Sequence, residues 1–234
     1  MAITFVAQTE TDVTVANTTD TKSVSTTAGN TLILLVAIAA GATSKLLSVT
    51  DSAGNTWVVP TSDPNTNPPA NFVSGSNTYF AMAYVLNAAA ITSITVNISL
   101  SKVFSYNLVE FSGIVTVSAV DQSQTASDTP AASPLSTPSI TTVNANDLII
   151  GGMSANNNSM TINTAGFNAL TSMVPVGTMK GVAAYKIVSS TGTYQISWTP
   201  GANAVAGAGI MAFQAAAGTP IIGGGSTASL LGVG

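Results

Sequence analysis

Glu110, Asp51, Asp63, Asp121 and Asp147 are the side chains of this sequence placed to act as acids or bases. Paired carboxylates can hydrolyse glycosides, one protonating the leaving oxygen while the other acts as base or nucleophile. Glu110 is the one that falls inside a strand pattern. By alternation it shares a face with Phe104, Tyr106 and Leu108. It is either a tuned acid or a carboxylate hydrogen-bonded to backbone or lysine at a sandwich edge, and the second is the expectation. Trp57, Tyr79, Tyr106 and Trp198 could stack on sugars, but aromatic residues at strand spacing ordinarily fill a core.

Other chemistries lack their residues. The chain has no histidine and no cysteine, which excludes Ser–His–Asp and Cys–His sites and argues against the usual zinc and iron sites. "DPNTN" (63–67) matches the opening of a calcium loop. However, Pro68 stands where the glycine belongs and Ser74 where the terminal glutamate belongs, so a polar turn is expected. "GGGSTAS" (223–229) lacks the lysine of a phosphate loop. No catalytic, cofactor-binding or metal-binding residue is therefore assigned; no cofactor is expected, and the chain is not read as an enzyme. Lys22, Lys45, Lys102, Lys180 and Lys186 are scattered, and the net charge is −4, which opposes binding to nucleic-acid phosphates.

The elements that would position these side chains read as strands. Ile94, Val96, Ile98 and Leu100 alternate with polar residues, as do Tyr194, Ile196 and Trp198, and Ile3 and Phe5. "TYFAMAYVL" (78–86) and "NDLIIGGM" (146–153) are apolar on both faces and read as central or interface strands. "NTLILLVAIAAGA" (30–42) resembles the start of a membrane span but ends at Thr43-Ser44-Lys45, short of the roughly 20 residues a bilayer needs. It is read as a strand buried on both faces, and no membrane partner is expected. The N-terminus shows no basic region of the signal-peptide type. "DSAGN" (51–55) carries a hairpin signature between two strands. No segment has a capped helical period, so helix content below about a tenth is expected.

The two sides of the chain look alike. "NTLILL" (30–35) resembles "NDLIIG" (146–151), and "AMAYVL" (81–86) resembles "VAAYKI" (182–187). "ITVNISL" (94–100) pairs with "YQISWTP" (194–200), and "LVEFSG" (108–113) with "IMAFQA" (210–215). The order is preserved, and an insertion near 60–76 would account for the larger offset of the first pair. The expectation is an all-β, jelly-roll-like sandwich over 1–217, built from two similar halves (28–114 and 140–217). Two smaller sandwiches in tandem are the alternative. The polar stretch 121–139, with Pro130, Pro134 and Pro138, is read as a crossover or linker.

Three stretches carry a resemblance: "NTLILLVAIAAG" (30–41), "LLSVTDSAGNTWVVP" (46–60) and "AYVLNAAAITSITVNIS…LVEFSGI" (83–114). Together they resemble β-sandwich domains of bacteriophage virion proteins and of some bacterial extracellular proteins. The resemblance covers about residues 28–114 well and reaches 140–217 through the repeat. It implies a virion structural protein, either a capsid decoration or head protein or a fibre component, made in the host cytoplasm and partnered with other virion proteins. The alternative is a carbohydrate-binding or adhesive module of a tail or cell surface, with a glycan as partner.

Composition points to self-association. With 46% hydrophobic and 6% charged residues, the surface has little charge to keep it solvated alone. A homo-oligomer is expected, and the virion analogy suggests a trimer. Residues 218–234 form an extended glycine-rich tail, too costly in entropy to order by itself. Ile221, Ile222, Leu230, Leu231 and Val233 are nonetheless not what a solvated linker carries. They are the candidate partner-docking residues of a tail that either stays flexible or orders against a neighbour.

Overall fold

The structure, a computed structural model, describes residues 2–39, 44–59, 72–73, 78–126, 133–156, 159–176, 179–204 and 206–217. Among them every regular element is a β-strand and none is a helix. The alternation of apolar and polar residues gives this outcome directly. Ile94, Val96 and Ile98 are buried, while the residues between them are partly exposed.

The first half contains β1 (Thr4–Ser23), β2 (Thr31–Ala39), β3 (Leu46–Asp51), β4 (Phe72–Val73), β5 (Thr78–Val85) and β6 (Ser93–Ser112). Their order is β1-β6-β2-β5-β4, with β3 added to β6. The two longest strands turn a corner together. The start of β1 pairs with Phe104–Ser112 of β6, and its end (19–23) pairs with 93–97, with register shifts between Val13 and Thr19. Beyond that corner β6 pairs with β3 instead of β2. Bulges of this kind bend a strand and increase its twist. The fold-over places Leu32, Leu34, Val36 and Ile38 of β2 against Ile94, Val96 and Ile98 of β6 in one core.

The second half contains β7 (Val120–Ala126), β8 (Leu135–Ser136), β9 (Ile140–Thr141), β10 (Leu148–Ala155), β11 (Met160–Ile162), β12 (Asn168–Ala169), β13 (Met173–Val176), β14 (Met179–Ile187), β15 (Thr193–Tyr194), β16 (Ser197–Pro200) and β17 (Ala206–Phe213). Its large sheet runs β12-β14-β10-β17-β7, with β13 on β14. The small strands β11-β16-β8 and β15-β9 form two further sheets. A second core fills the space between: Ile149, Met153, Val182, Ile210 and Ala212 from the large sheet meet Leu135, Ile140, Ile196 and Trp198.

A third core joins the halves. The outward faces of the two large sheets pack on each other through Ile33, Leu35, Phe80, Met82, Val109 and Phe111 on one side and Leu148, Ile150, Met179, Met211 and Phe213 on the other. Tyr84 meets Phe213 edge-on at 5.3 Å, and Tyr185 stacks on Phe5 at 5.2 Å. Pairs of this kind add about 0.5–1.5 kcal/mol beyond their buried area. The apolar stretch 30–42 is thereby explained as far as it is described: β2 supplies one face to the first core and the other to the joint. The same holds for β5, β10 and β17, whose residues are buried on both faces.

Each half has a buried cluster of its own, and a third cluster lies between the large sheets. Two expectations need correction. The stretch 121–139 is not a crossover throughout, because 120–126 is β7, the edge strand paired to β17. Ladder bonds come from the backbone, so an edge strand needs no apolar pattern. Residues 51–55 do not close a hairpin either. Val58 crosses to bridge Tyr84, because the Asp51 carboxylate gathers Ala53 N, Asn55 N and Trp57 Nε1 and turns the chain toward the other layer.

Candidate functional site

The acids singled out above are dispersed. Glu110 is buried near the end of β6 and accepts from Thr27 N at 2.8 Å and from Asn30 Nδ2 at 2.5 Å. It ties down the connection between β1 and β2. This is the structural role expected of it, although its partners are amides and not lysine. The Asp51 carboxylate accepts from Trp57 Nε1 at 2.7 Å and from Asn55 Nδ2 at 3.1 Å. Burial pulls its pKa up, but the bonds from Trp57, Asn55 and Ala53 outweigh this and hold it below the ordinary carboxylate value. Asp63 and the "DPNTN" stretch lie outside the described residues.

Asp121 and Asp147 are the two that meet. Asp121 accepts from Val143 N and Asn144 Nδ2, both at 2.8 Å. Asp147, just before β10, has 0% exposure, and neither of its oxygens has an N–H or hydroxyl donor. It faces the Asp121 carboxyl. Burial first, then Asp121, pushes Asp147 up to about 7. Two carboxyl groups bond only when one keeps its proton, so Asp147 carries a proton over most of the acidic range. Asp147 is shut off from solvent, so the pair has no route to substrate. Trp57, Tyr79, Tyr106 and Trp198 are buried and present no stacking platform.

A polar seam that the sequence reading passed over lies at the joint between the sandwiches. Gln8, Glu10 and Asp12 stand on one face of β1, beside Asn107 and Ser105 of β6. Gln8 Oε1 accepts from Asn107 Nδ2 and from Thr171 N, both at 3.1 Å. Asn107 Nδ2 also donates to Thr171 O. Asp12 Oδ1 accepts from Ser105 Oγ and, at 2.8 Å, from Val174 N. Thr171 and Val174 belong to the second sandwich, so β1 is stitched to the β13 region by backbone amides. The signal was present in "QTETDV" (8–13), where polar and acidic residues repeat at period two on one strand face. A solvent-facing strand gives the same pattern, and only the packing separates the two cases.

The described chain ends beside a cleft of about 590 Å³, lined by Ala2, Ile3, Ile187, Val188, Ala215 and Ala217 among others. The candidate docking residues Ile221, Ile222, Leu230, Leu231 and Val233 lie outside the described residues. Among the described residues, no group of three or more acids could hold a metal ion, and no helix is long and apolar enough to cross a membrane. No protein-family model, curated protein or solved structure matches the chain.

Proposed function

We propose that this protein is a structural component of a bacteriophage virion, a capsid decoration or head protein or a fibre component, working by packing against copies of itself and other virion proteins. The observation that carries this reading is where the acids are spent. Glu110, Asp51 and Asp121 hold the chain's own amides, and Asp147 is sealed inside. That these acids are spent on the chain's own structure supports reading the protein as a building block. Its surface has little charge and exposes Val15, Val117, Val143 and Leu47. Such a surface suits contact with further protein, and the trimer rests on the virion analogy alone.

The jelly-roll description belongs to the same proposal. What supports it is the routing of the chain, which is alike in both units. The opening stretch of strand lies beside the last one (β1 beside the end of β6, β7 beside β17), and the last lies beside β2 or β10. The second stretch pairs with the one before the last, as β8 does with β16. Wrapping of this kind is shared by viral capsid and lectin domains. The four look-alike pairs of the sequence fall at corresponding places: β2 and β10, β5 and β14, the start of β6 and β15–β16, the end of β6 and β17. A duplicated unit accounts for both facts.

Copy number in purified particles tests the reading. High copy number is expected of a head or tube component, a few copies of a tail-tip component, and absence from particles overturns the proposal. The tail is tested separately by truncation after Ala217. The shortened protein is expected to fold normally and lose oligomerisation or particle attachment. Assembly equal to that of the full chain removes Ile221, Ile222, Leu230, Leu231 and Val233 from any docking role.

A further inference from the structure

We propose that Glu10 holds a proton shared within the Glu10–Asp12–Asn107 cluster, and that this proton clamps β1 of the first sandwich to the β13 region of the second. The geometry leaves two buried oxygens without donors on residues that stand directly opposite each other: Glu10 Oε1 on β1 and Asn107 Oδ1 on β6. Both Asn107 Nδ2 bonds go elsewhere, to Gln8 and to the Thr171 carbonyl, so its oxygen is free only to accept. The Asp12 carboxylate beside them is already engaged by Ser105 Oγ and Val174 N. A protonated Glu10 supplies the missing donor. It satisfies one acceptor, Asn107 or Asp12, and removes the repulsion between neighbouring carboxylates. An ionised Glu10 leaves two negative charges side by side at the joint, with the Asn107 amide oxygen buried on the residue opposite.

The charges around Glu10 favour the proton. Asp12 lies on its own strand, β6 offers the neutral Ser105 and Asn107, and the residues from Thr171 to Val176 include nothing titratable. Lys22, farther along β1, is the cation among the described residues that opposes protonation. Burial first, and then Asp12, wins over Lys22 and pushes Glu10 from its ordinary value of 4.5 up to about 7. The sign follows. A carboxyl group raised in the folded state contributes stability that is complete below its ordinary value and is lost as pH rises through the folded value. The joint is therefore tight in acid and loosens above neutrality, opposite to the usual acid lability of ion-paired carboxylates.

The test is Glu10→Gln, a neutral group of the same shape whose amide keeps donating at every pH. Melting temperature from pH 5 to 9 and amide hydrogen exchange at Thr171 and Val174 are the readouts. Wild type is expected to lose roughly 5 °C between pH 5 and pH 8, with falling protection at the two amides. Glu10→Gln should keep both at alkaline pH. Asp147→Asn is the companion variant. It removes the other raised acid without touching the joint, and should flatten part of the melting profile while leaving the pH dependence at Thr171 and Val174. Carbon-13 titration of the Glu10 carboxyl in wild type keeps the test open if a variant folds poorly. A midpoint near the ordinary glutamate value, or a Glu10→Gln profile identical to wild type, overturns the clamp.

Discussion

Gly152→Val is expected to destabilise the protein by about 3 kcal/mol or more, lowering the melting temperature by roughly 10 °C. Gly152 sits in β10 at the joint between the sandwiches. A Cβ there would lie 2.4 Å from the Val182 carbonyl oxygen, 2.7 Å from Phe80 Cζ and 2.9 Å from Ala183 Cβ. The first of these is backbone of the adjacent strand and cannot step aside. The second belongs to the other sandwich, so room can be made only by moving the sheets apart. Separation of the sheets would also loosen the contact between Tyr84 and Phe213. Gly181→Val repeats the test from β14, where a Cβ would meet Ala37 Cβ of the first sandwich at 2.5 Å. Thermal and urea denaturation read the effect. A Gly152→Val protein that melts with wild type would show that the joint is not close-packed.

Glu110→Ala is expected to cost about 3 kcal/mol of stability and to change no catalytic rate. The buried carboxylate binds the Thr27 amide and the Asn30 side chain, and both would lose that acceptor. Bonds to a charged acceptor contribute about 1.5–3 kcal/mol, and water can replace part of what the exposed Thr27 and half-buried Asn30 lose. Glu110→Gln should fall between the two, because its oxygen can keep one of the bonds. Urea denaturation measures the difference. Cleavage of a polysaccharide by the wild-type protein, abolished in a folded Glu110→Gln variant, would make Glu110 an acid catalyst and remove the structural reading.

The strands were legible in the sequence because their cause is local. Period-two alternation in 94–98 and unbroken apolar runs in 32–38 and 148–150 record which faces are wet and which are dry, and burial follows those patterns residue by residue. The absence of histidine and cysteine was equally decisive about the chemistry the chain cannot perform. The both-face burial of 78–85 announced that something covers the sheet, but not what. Whether two halves share one core or close one each depends on a corner in β1 and β6, and bulges leave no reliable local mark.

Tertiary structure alone decided the polar sites. Thr171 N meets Gln8 across 163 positions of sequence, and Val174 N meets Asp12 across 162. An acid on a strand reads the same whether it faces water or a second sheet, so Glu10 and Asp12 drew no notice while Asp51 and Asp121 did. Asp147 shows the same limit from the other side. Its position before an apolar strand singles it out, yet its proton is held by burial first and then by Asp121, whose edge strand carries no apolar signal at all. Hydrophobic pattern is written along the chain because each residue partitions by its own chemistry. The state of a buried acid is set by its neighbours, and the fold chooses those neighbours.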